Sequence, residues 1–251
     1  MTERTVPAIF NRQQTKAKWS RARSRQKLAN PASYLAETMA EDILERLDFM
    51  RFEAESPLIV GDATKMIKHA MAERGTKGTF AYLDEFDEES PGPLAQYDLI
   101  IHLMGLGMVN DLPGALIHAR HSLKEGGLFL AAFPGAGSLP TLRQITLAAD
   151  GDRPSARIHP QIDSRAGTAL LQRAGFARQV VDSFPLKVRF STFDQLISDL
   201  RDHGLTRSLM SPAPPLNRAW LKRAEAQFDA MREEDGKVTE TFEILVMTGW
   251  R

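Results

Sequence analysis

The sequence predicts a doubly wound α/β fold with a mostly parallel sheet. Two observations predict it. From residue 58 onward short apolar runs alternate with helical patterns, and such alternation gives a parallel sheet with helices on both faces. The 251 residues, 43% of them hydrophobic and 25% charged, suit one α/β domain with an embellishment, or two small domains, around a sizeable core.

The elements follow in order. Residues 11–27 form a basic run (Arg12, Lys16, Lys18, Arg21, Arg23, Arg25 and Lys27) with no acid and with Trp19 in its middle. Asn30-Pro31 reads as a helix start, with Asn as N-cap and Pro at the first helical position. Leu35, Met39, Ile43, Leu44, Leu47 and Met50 then recur at helical spacing. Leu58-Ile59-Val60 is a short strand ending at Gly61-Asp62, and Met66 to Arg74 is a helix stopped by Gly75. Thr79 to Leu83 reads as a strand leading into Asp84-Glu85 and an acidic loop with Pro91-Gly92-Pro93. Tyr97 to Leu103 is the clearest strand, followed by a helix from about Leu112 to Leu123 and a buried strand from Leu128 to Phe133. Residues 151–157 read as a loop, Ser164 to Ala174 as a helix ended by Gly175, and Val180 to Phe190 as a strand. Helices over Phe193–His203 and Asn217–Arg232 flank a break at residues 211–215, and Thr241 to Trp250 is the last strand. No repeat or low-complexity tract interrupts this order.

Composition removes several function classes. Lys+Arg and Asp+Glu both number 32, so no whole-protein field gathers nucleic acid or acidic lipid. The absence of cysteine excludes disulfides, thiolate zinc, iron–sulfur ligation and a cysteine nucleophile. No run approaches 18 consecutive apolar residues, so no transmembrane segment is expected, and the N-terminus has no signal-peptide core. Its Arg, Ser and Thr content suits a mitochondrial presequence, but Glu3 and the early helix leave little room for a removable peptide.

Three motifs carry a resemblance. Tyr97-Asp98-Leu99-Ile100 resembles the fourth strand of class I S-adenosylmethionine (SAM) methyltransferases, Leu123-Lys124-Glu125-Gly126-Gly127 the turn before their fifth, and Arg173-Ala174-Gly175-Phe176 the helix end before their sixth. A narrower resemblance runs through Phe10-Asn11-Arg12 with Lys18-Trp19, Val109-Asn110-Asp111-Leu112-Pro113, and Asp235-Gly236-Lys237-Val238 leading to Gly249-Trp250-Arg251. It points to the methyltransferase-like assembly factor of respiratory complex I and its bacterial relatives, with the biotin-pathway malonyl-carrier methyltransferase as a more distant cousin. The resemblance covers nearly the whole chain except roughly residues 57–96. It implies the class I methyltransferase sheet with an antiparallel last strand, one domain over 1–251, a lid and helix over 11–50, and a helical insertion over roughly 191–235. It also implies a respiratory-complex subunit or other protein as partner, and a bacterial cytoplasmic location, with a peripheral place at the inner membrane as a second expectation. Arginine hydroxylation of a complex I subunit is the family background.

The chain departs from this family where SAM should bind. An acidic-x-Gly-x-Gly-x-Gly loop normally lets the backbone approach the ligand. Here the stretch is Gly61-Asp62-Ala63-Thr64-Lys65, with one glycine left and Lys65 where the last is expected. Between Gly61 and Asp98 lie 36 residues, positions 62–97, whereas strand–helix–strand–helix needs about 50. One strand–helix unit is therefore expected to be missing, leaving six strands. If Thr79–Leu83 is the second strand, Asp84 or Glu85 can hold the ribose; if it is the third, that acid is lost. Gly107-Met108 stands where relatives carry His-Trp.

The candidate cofactor residues are Gly61, Asp62, Asp84, Leu103 and Met104; the candidate pocket residues are Trp19, Met108, Arg143 and His159. Each has a plainer reading. Gly61-Asp62 is equally an ordinary strand-to-helix turn, and Asp84-Glu85 a solvated acidic loop continuing through Asp87, Glu88 and Glu89. His159 is an acid/base group or a loop histidine before Pro160. Arg143 orients an acidic substrate group or caps its helix. His102, His118 and His121 lack the converging carboxylates of a metal site, so no metal is expected. The basic run around Trp19 suits a lid or docking arm over the cofactor cleft better than a nucleic-acid surface. Two functions stay open: a SAM-fold protein with a degenerate cofactor loop, weak or non-catalytic and acting through a partner, and an active SAM-dependent methyltransferase on a small carboxylate or a protein side chain.

Overall fold

The computed structural model describes residues 8–251; Glu3 and the presequence expectation lie outside the described residues. Six strands form one sheet: β1 (Pro57–Val60), β2 (Thr79–Ala81), β3 (Tyr97–Leu103), β4 (Leu123–Pro134), β5 (Ala177–Phe190) and β6 (Val238–Trp250), in the order β2-β1-β3-β4-β6-β5. The pairs β1–β2, β1–β3 and β3–β4 are parallel. β6, the last strand, inserts antiparallel between β4 and β5, with Leu130 opposite Thr248 and Phe184 opposite Ile244.

Side chains alternate across a strand, so the central strands feed two apolar layers. Leu99, Ile101 and Leu103 of β3 join one layer with Leu35, Met39 and Ile43 of α2 (Tyr34–Met50) and Ile145 of α5 (Pro140–Asp150). Ile100 joins the opposite layer with Val60, Phe129 and Leu116 of α4 (Leu112–Ser122) and Leu171 of α6 (Ser164–Arg173). Two further helices, α7 (Phe193–Asp202) and α8 (Arg218–Ala230), lie in the chain between β5 and β6.

β2 pairs with β1 directly, so this short strand occupies the second position and the unit that should follow it is absent. It ends at Ala81, two residues before the expected Leu83. Residues 84–96 take the place of the missing unit. Phe86 packs into the layer beneath, and Ala95 and Gln96 N–H groups donate to the carbonyls of His121 and Ser122 at 2.9 Å.

Three local readings need correction. The basic run is itself a helix, α1 (Arg12–Arg25), capped by Asn11, whose side chain accepts from the Gln14 N–H. Thr15, Trp19 and Ala22 form its buried stripe at helical spacing. The next helix begins at Tyr34 rather than Pro31; Asn30 sits at φ 56°, a left-handed turn that asparagine tolerates, and Ser33 is the N-cap residue. Helix α5 went unread, although Pro140 opens it and Leu142, Ile145, Thr146 and Ala149 form its buried face.

Candidate functional site

The C-terminal ends of β1, β2 and β3 are where a ligand sits in this architecture. At the first of them Gly61 adopts φ 83°, and a Cβ there would collide with the Leu103 carbonyl oxygen and stand 3.2 Å from Leu83 Cδ2. The missing side chain thus lets β1 approach β3, and Leu83 lies over the turn. Asp62 is spent locally: its carboxylate accepts the Lys68 N–H at 2.9 Å at the start of α3 (Met66–Glu73), while burial pushes its pKa up against those hydrogen bonds. Lys65 holds φ 62°, so the left-handed backbone expected of a glycine is kept without the glycine.

Asp84 and Glu85 are both held by α1. Arg23 donates to Asp84 Oδ2 at 2.8 Å and to Glu85 Oε1 at 2.6 Å, and its guanidinium lies 4.3 Å from the Tyr82 ring centre. Arg12 pairs with Asp87 and reaches Glu89 at 3.4 Å. Leu103 is fully buried, and Met104, buried at φ 68°, closes the strand by donating its N–H to the Ala132 carbonyl at 2.8 Å. Behind it Glu88 contacts His102 Nε2 at 3.0 Å, and Leu83 crowds Gly105. A small space of about 40 Å³ lies between α1, the loop from Leu83 to Glu89 and the turn at Gly105 and Met108, and none of the candidate cofactor residues lines it.

The N-terminal segment is fastened by the Val109-Asn110-Asp111 motif. Asn110 Oδ1 accepts the Ile9 and Phe10 N–H groups at 2.7 and 2.8 Å, and its amide donates to the Phe10 carbonyl at 3.1 Å. Asp111 caps α4 by accepting the Gly114 N–H at 2.9 Å. Phe10 also bridges antiparallel to Leu209, and Asn11 N–H donates to the Ser208 carbonyl. Two motifs about 100 residues apart are therefore one structural joint.

A second, larger cavity of about 510 Å³ opens between α1, α5 and α7. Met104, Met108 and His159 line it. Trp19 does not; it packs on Gly204, where a Cβ would collide with the indole. Arg143 does not either: it is exposed on α5, while its neighbours Leu142 and Thr146 face the cavity. His159 Nε2 accepts the Ser208 N–H at 2.9 Å, which fixes a neutral ring with its proton on Nδ1. Burial, helped by Lys18 and Arg207, lowers its pKa to about 4, so it is a weak base with its acceptor already engaged. Sequence reasoning missed Arg157, Arg201 and Arg207 of this wall. They are spread along the loops and helices beyond α5, and no local motif joins them to Lys18 and Arg21.

Among the described residues no group of three His, Asp or Glu side chains converges as a metal site. No helix among them is long and apolar enough to cross a membrane.

Strand order and the antiparallel last strand define the class I SAM-dependent methyltransferase fold, and solved structures share it. The YcgJ protein of Bacillus subtilis matches with a TM-score of 0.52 at 13% identity, over 86% of this chain and 98% of that one. A protein of Bacillus halodurans assigned as a methyltransferase gives 0.51 at 13%, over 84% and 98%. The chain thus shares the class I methyltransferase fold, and it is similar in sequence to several known proteins. Among those relatives is the mitochondrial arginine-hydroxylase NDUFAF5. The Homo sapiens protein is 33% identical over 159 residues, 62% of this chain and 46% of that protein. The Danio rerio protein is 28% identical over 225 residues, 87% and 65%. The malonyl-[acyl-carrier protein] O-methyltransferase 1 of Coxiella burnetii is 27% identical over 223 residues, 82% and 77%. The chain spans about half the length of the mammalian curated relatives it matches. No family model matches the chain.

Proposed function

We propose that this chain is a methyltransferase-like protein that does not bind SAM to any useful extent and acts by docking a protein partner. The observation that carries the reading is the state of the cofactor position. The groups that would hold the cofactor are engaged with the protein itself. Gly61 admits the Leu103 carbonyl, Asp62 serves the start of α3, and Asp84 serves Arg23. The residues present do not fit SAM.

Each polar ligand group left without its partner costs about 1–3 kcal/mol. Two such losses move a micromolar site to about millimolar. Methyl transfer also needs a base or an orienting group at the acceptor, and His159 is neutral, weakly basic and bonded to Ser208. On this reading α1 is a docking arm held on the strand ends, with Lys27 exposed just beyond its C-terminal end. The family resemblance makes a respiratory-complex subunit the leading partner.

Calorimetric titration of the intact chain with SAM and with S-adenosylhomocysteine tests this. The expected outcome is no saturable heat below about 1 mM ligand. A dissociation constant in the low micromolar range would overturn the reading and return the chain to the enzymes, with a small carboxylate or a protein side chain as methyl acceptor.

A further inference from the structure

The larger cavity carries more positive charge than the protein neutralises. Lys18, Arg21, Arg25, Arg157, Arg201 and Arg207 line it, and no carboxylate does. Two of the six are paired, Arg25 with Asp202 and Arg157 with Asp150. Among the described residues the other four form no ion pair. Three of them bond backbone carbonyls: Lys18 donates to Thr206 at 3.0 Å, Arg21 to Ala17 at 3.2 Å and Arg207 to Ala156 at 2.7 Å. A carbonyl satisfies a donor but cancels no charge. The excess is felt locally. Burial, Arg21 and Arg207 together pull the Lys18 ammonium down to about 8, and Lys18 and Arg207 add to the burial that keeps His159 neutral. The remaining wall is apolar, with Met104, Leu142, Leu200 and Trp220.

Unpaired cations around a concave, largely apolar cavity focus their field on whatever enters it, with Lys18 and Arg207 partly buried and Arg21 and Arg201 exposed. Guanidinium forks match the oxygens of phosphate in parallel pairs, and lysine supplies a point charge beside them. A carboxylate brings one negative charge to this cluster; a phosphate monoester brings about 1.5 to 2. We propose that the cavity is a binding site for an organic phosphate monoester, its phosphate against Lys18, Arg21 and Arg207 and its apolar body against Met104, Leu142 and Trp220. Of the candidate cofactor residues only Met104 lines this cavity, and the inference stands whether or not SAM binds.

The test is calorimetric titration of the intact chain with octyl phosphate below its micellar concentration, against octanoate, octan-1-ol and inorganic phosphate. Octyl phosphate is expected to bind saturably at one site, at least tenfold tighter than octanoate or inorganic phosphate, with no binding of octan-1-ol. Lys18→Met and Arg21→Gln remove charges that hold no acid, and each is expected to weaken octyl phosphate at least tenfold; Arg21→Gln leaves the melting temperature unchanged, while Lys18→Met lowers it slightly through loss of the Thr206 hydrogen bond. Arg12→Gln, outside the cavity, is expected to leave it unaltered. Sedimentation with phosphatidylcholine vesicles, with and without phosphatidic acid, assigns the source. Capture only by phosphatidic acid points to a membrane phosphate, and binding of octyl phosphate without capture to a soluble ester. Octanoate or octan-1-ol binding as tightly as octyl phosphate, equal affinity in the Lys18 and Arg21 variants, or no binding at all overturns the proposal, and none of these results bears on the SAM titration.

Discussion

The turn from Gly61 to Lys65 shows two residues at positive φ that should respond in opposite ways to substitution. Gly61 cannot take a side chain, because φ 83° disfavours one and the Leu103 carbonyl fills the space. Gly61→Ala is expected to destabilise the fold by about 2–4 kcal/mol, from left-handed strain of about 1–2 together with a clash against backbone that cannot yield. Lys65 is exposed and already carries that strain at φ 62°. Lys65→Gly is expected to be neutral or to stabilise by up to about 1 kcal/mol, since relief of the strain outweighs the entropy that glycine adds to the unfolded chain. Lys65→Ala is expected to give no such gain. Urea denaturation of the three variants reads all of this. A Lys65→Gly variant less stable than Lys65→Ala would mean that the lysine side chain, not the backbone, holds this turn.

At the scale of elements, α1 depends on one joint. Asn110 supplies three hydrogen bonds to the segment entering the helix, each contributing about 1 kcal/mol net. Asn110→Ala is expected to loosen α1 while β3 and β4 stay intact, and faster tryptic cleavage within residues 12–25 than in the parent chain is the readout. Cleavage at the parental rate would show that Trp19 on Gly204 and the Arg23 pairs suffice to hold the helix. The same joint shows what was legible in the sequence. Phe10-Asn11-Arg12 and Val109-Asn110-Asp111 stood out as motifs, but their mutual contact spans about 100 residues and leaves no periodic signal. The strands from Tyr97 and to Trp250 were legible because apolar runs and their turns are local. Helix α1 was not read as a helix, because its buried face is only Thr15, Trp19 and Ala22 and the charges conceal it. Asn30-Pro31 imitated a helix start because the residue types of a cap also suit a left-handed turn. The loss of glycines at 63 and 65 was visible at once. That Leu83 lies over the Gly61 turn and Arg23 pairs with Asp84 depends on tertiary packing and was not.

For the whole molecule, one buried histidine, His203, and one partly buried one, His159, tie stability to pH. Burial lowers the pKa of His159 to about 4, with Lys18 and Arg207 adding to it. It also lowers His203 to about 4, although neighbouring Asp202 pulls the other way. In the unfolded chain both titrate near 6.5. Between about pH 6.5 and 4 the unfolded state therefore binds more protons than the native one. The histidine contribution to stability therefore rises with pH across that window and falls as the solution is acidified, against an opposite contribution from Asp62, Asp199 and Glu240, whose burial raises their pKa. The contribution is complete above about pH 6.5 and is lost progressively toward pH 4. A shift of this size corresponds to about 3 kcal/mol for a fully buried ring, and His159, which is only partly buried, is expected to supply about 2. Protonation of Nε2 would also break its bond from the Ser208 N–H, so the loss has a structural locus where the N-terminal segment meets the loop after α7. His159→Gln keeps an acceptor for that N–H and cannot titrate. Chemical denaturation at pH 7 and pH 4.5 should then show a loss of stability smaller by about 2 kcal/mol in the variant than in the parent chain, with a residual slope from His203. If both proteins lose the same stability on acidification, burial does not hold His159 neutral in the native state.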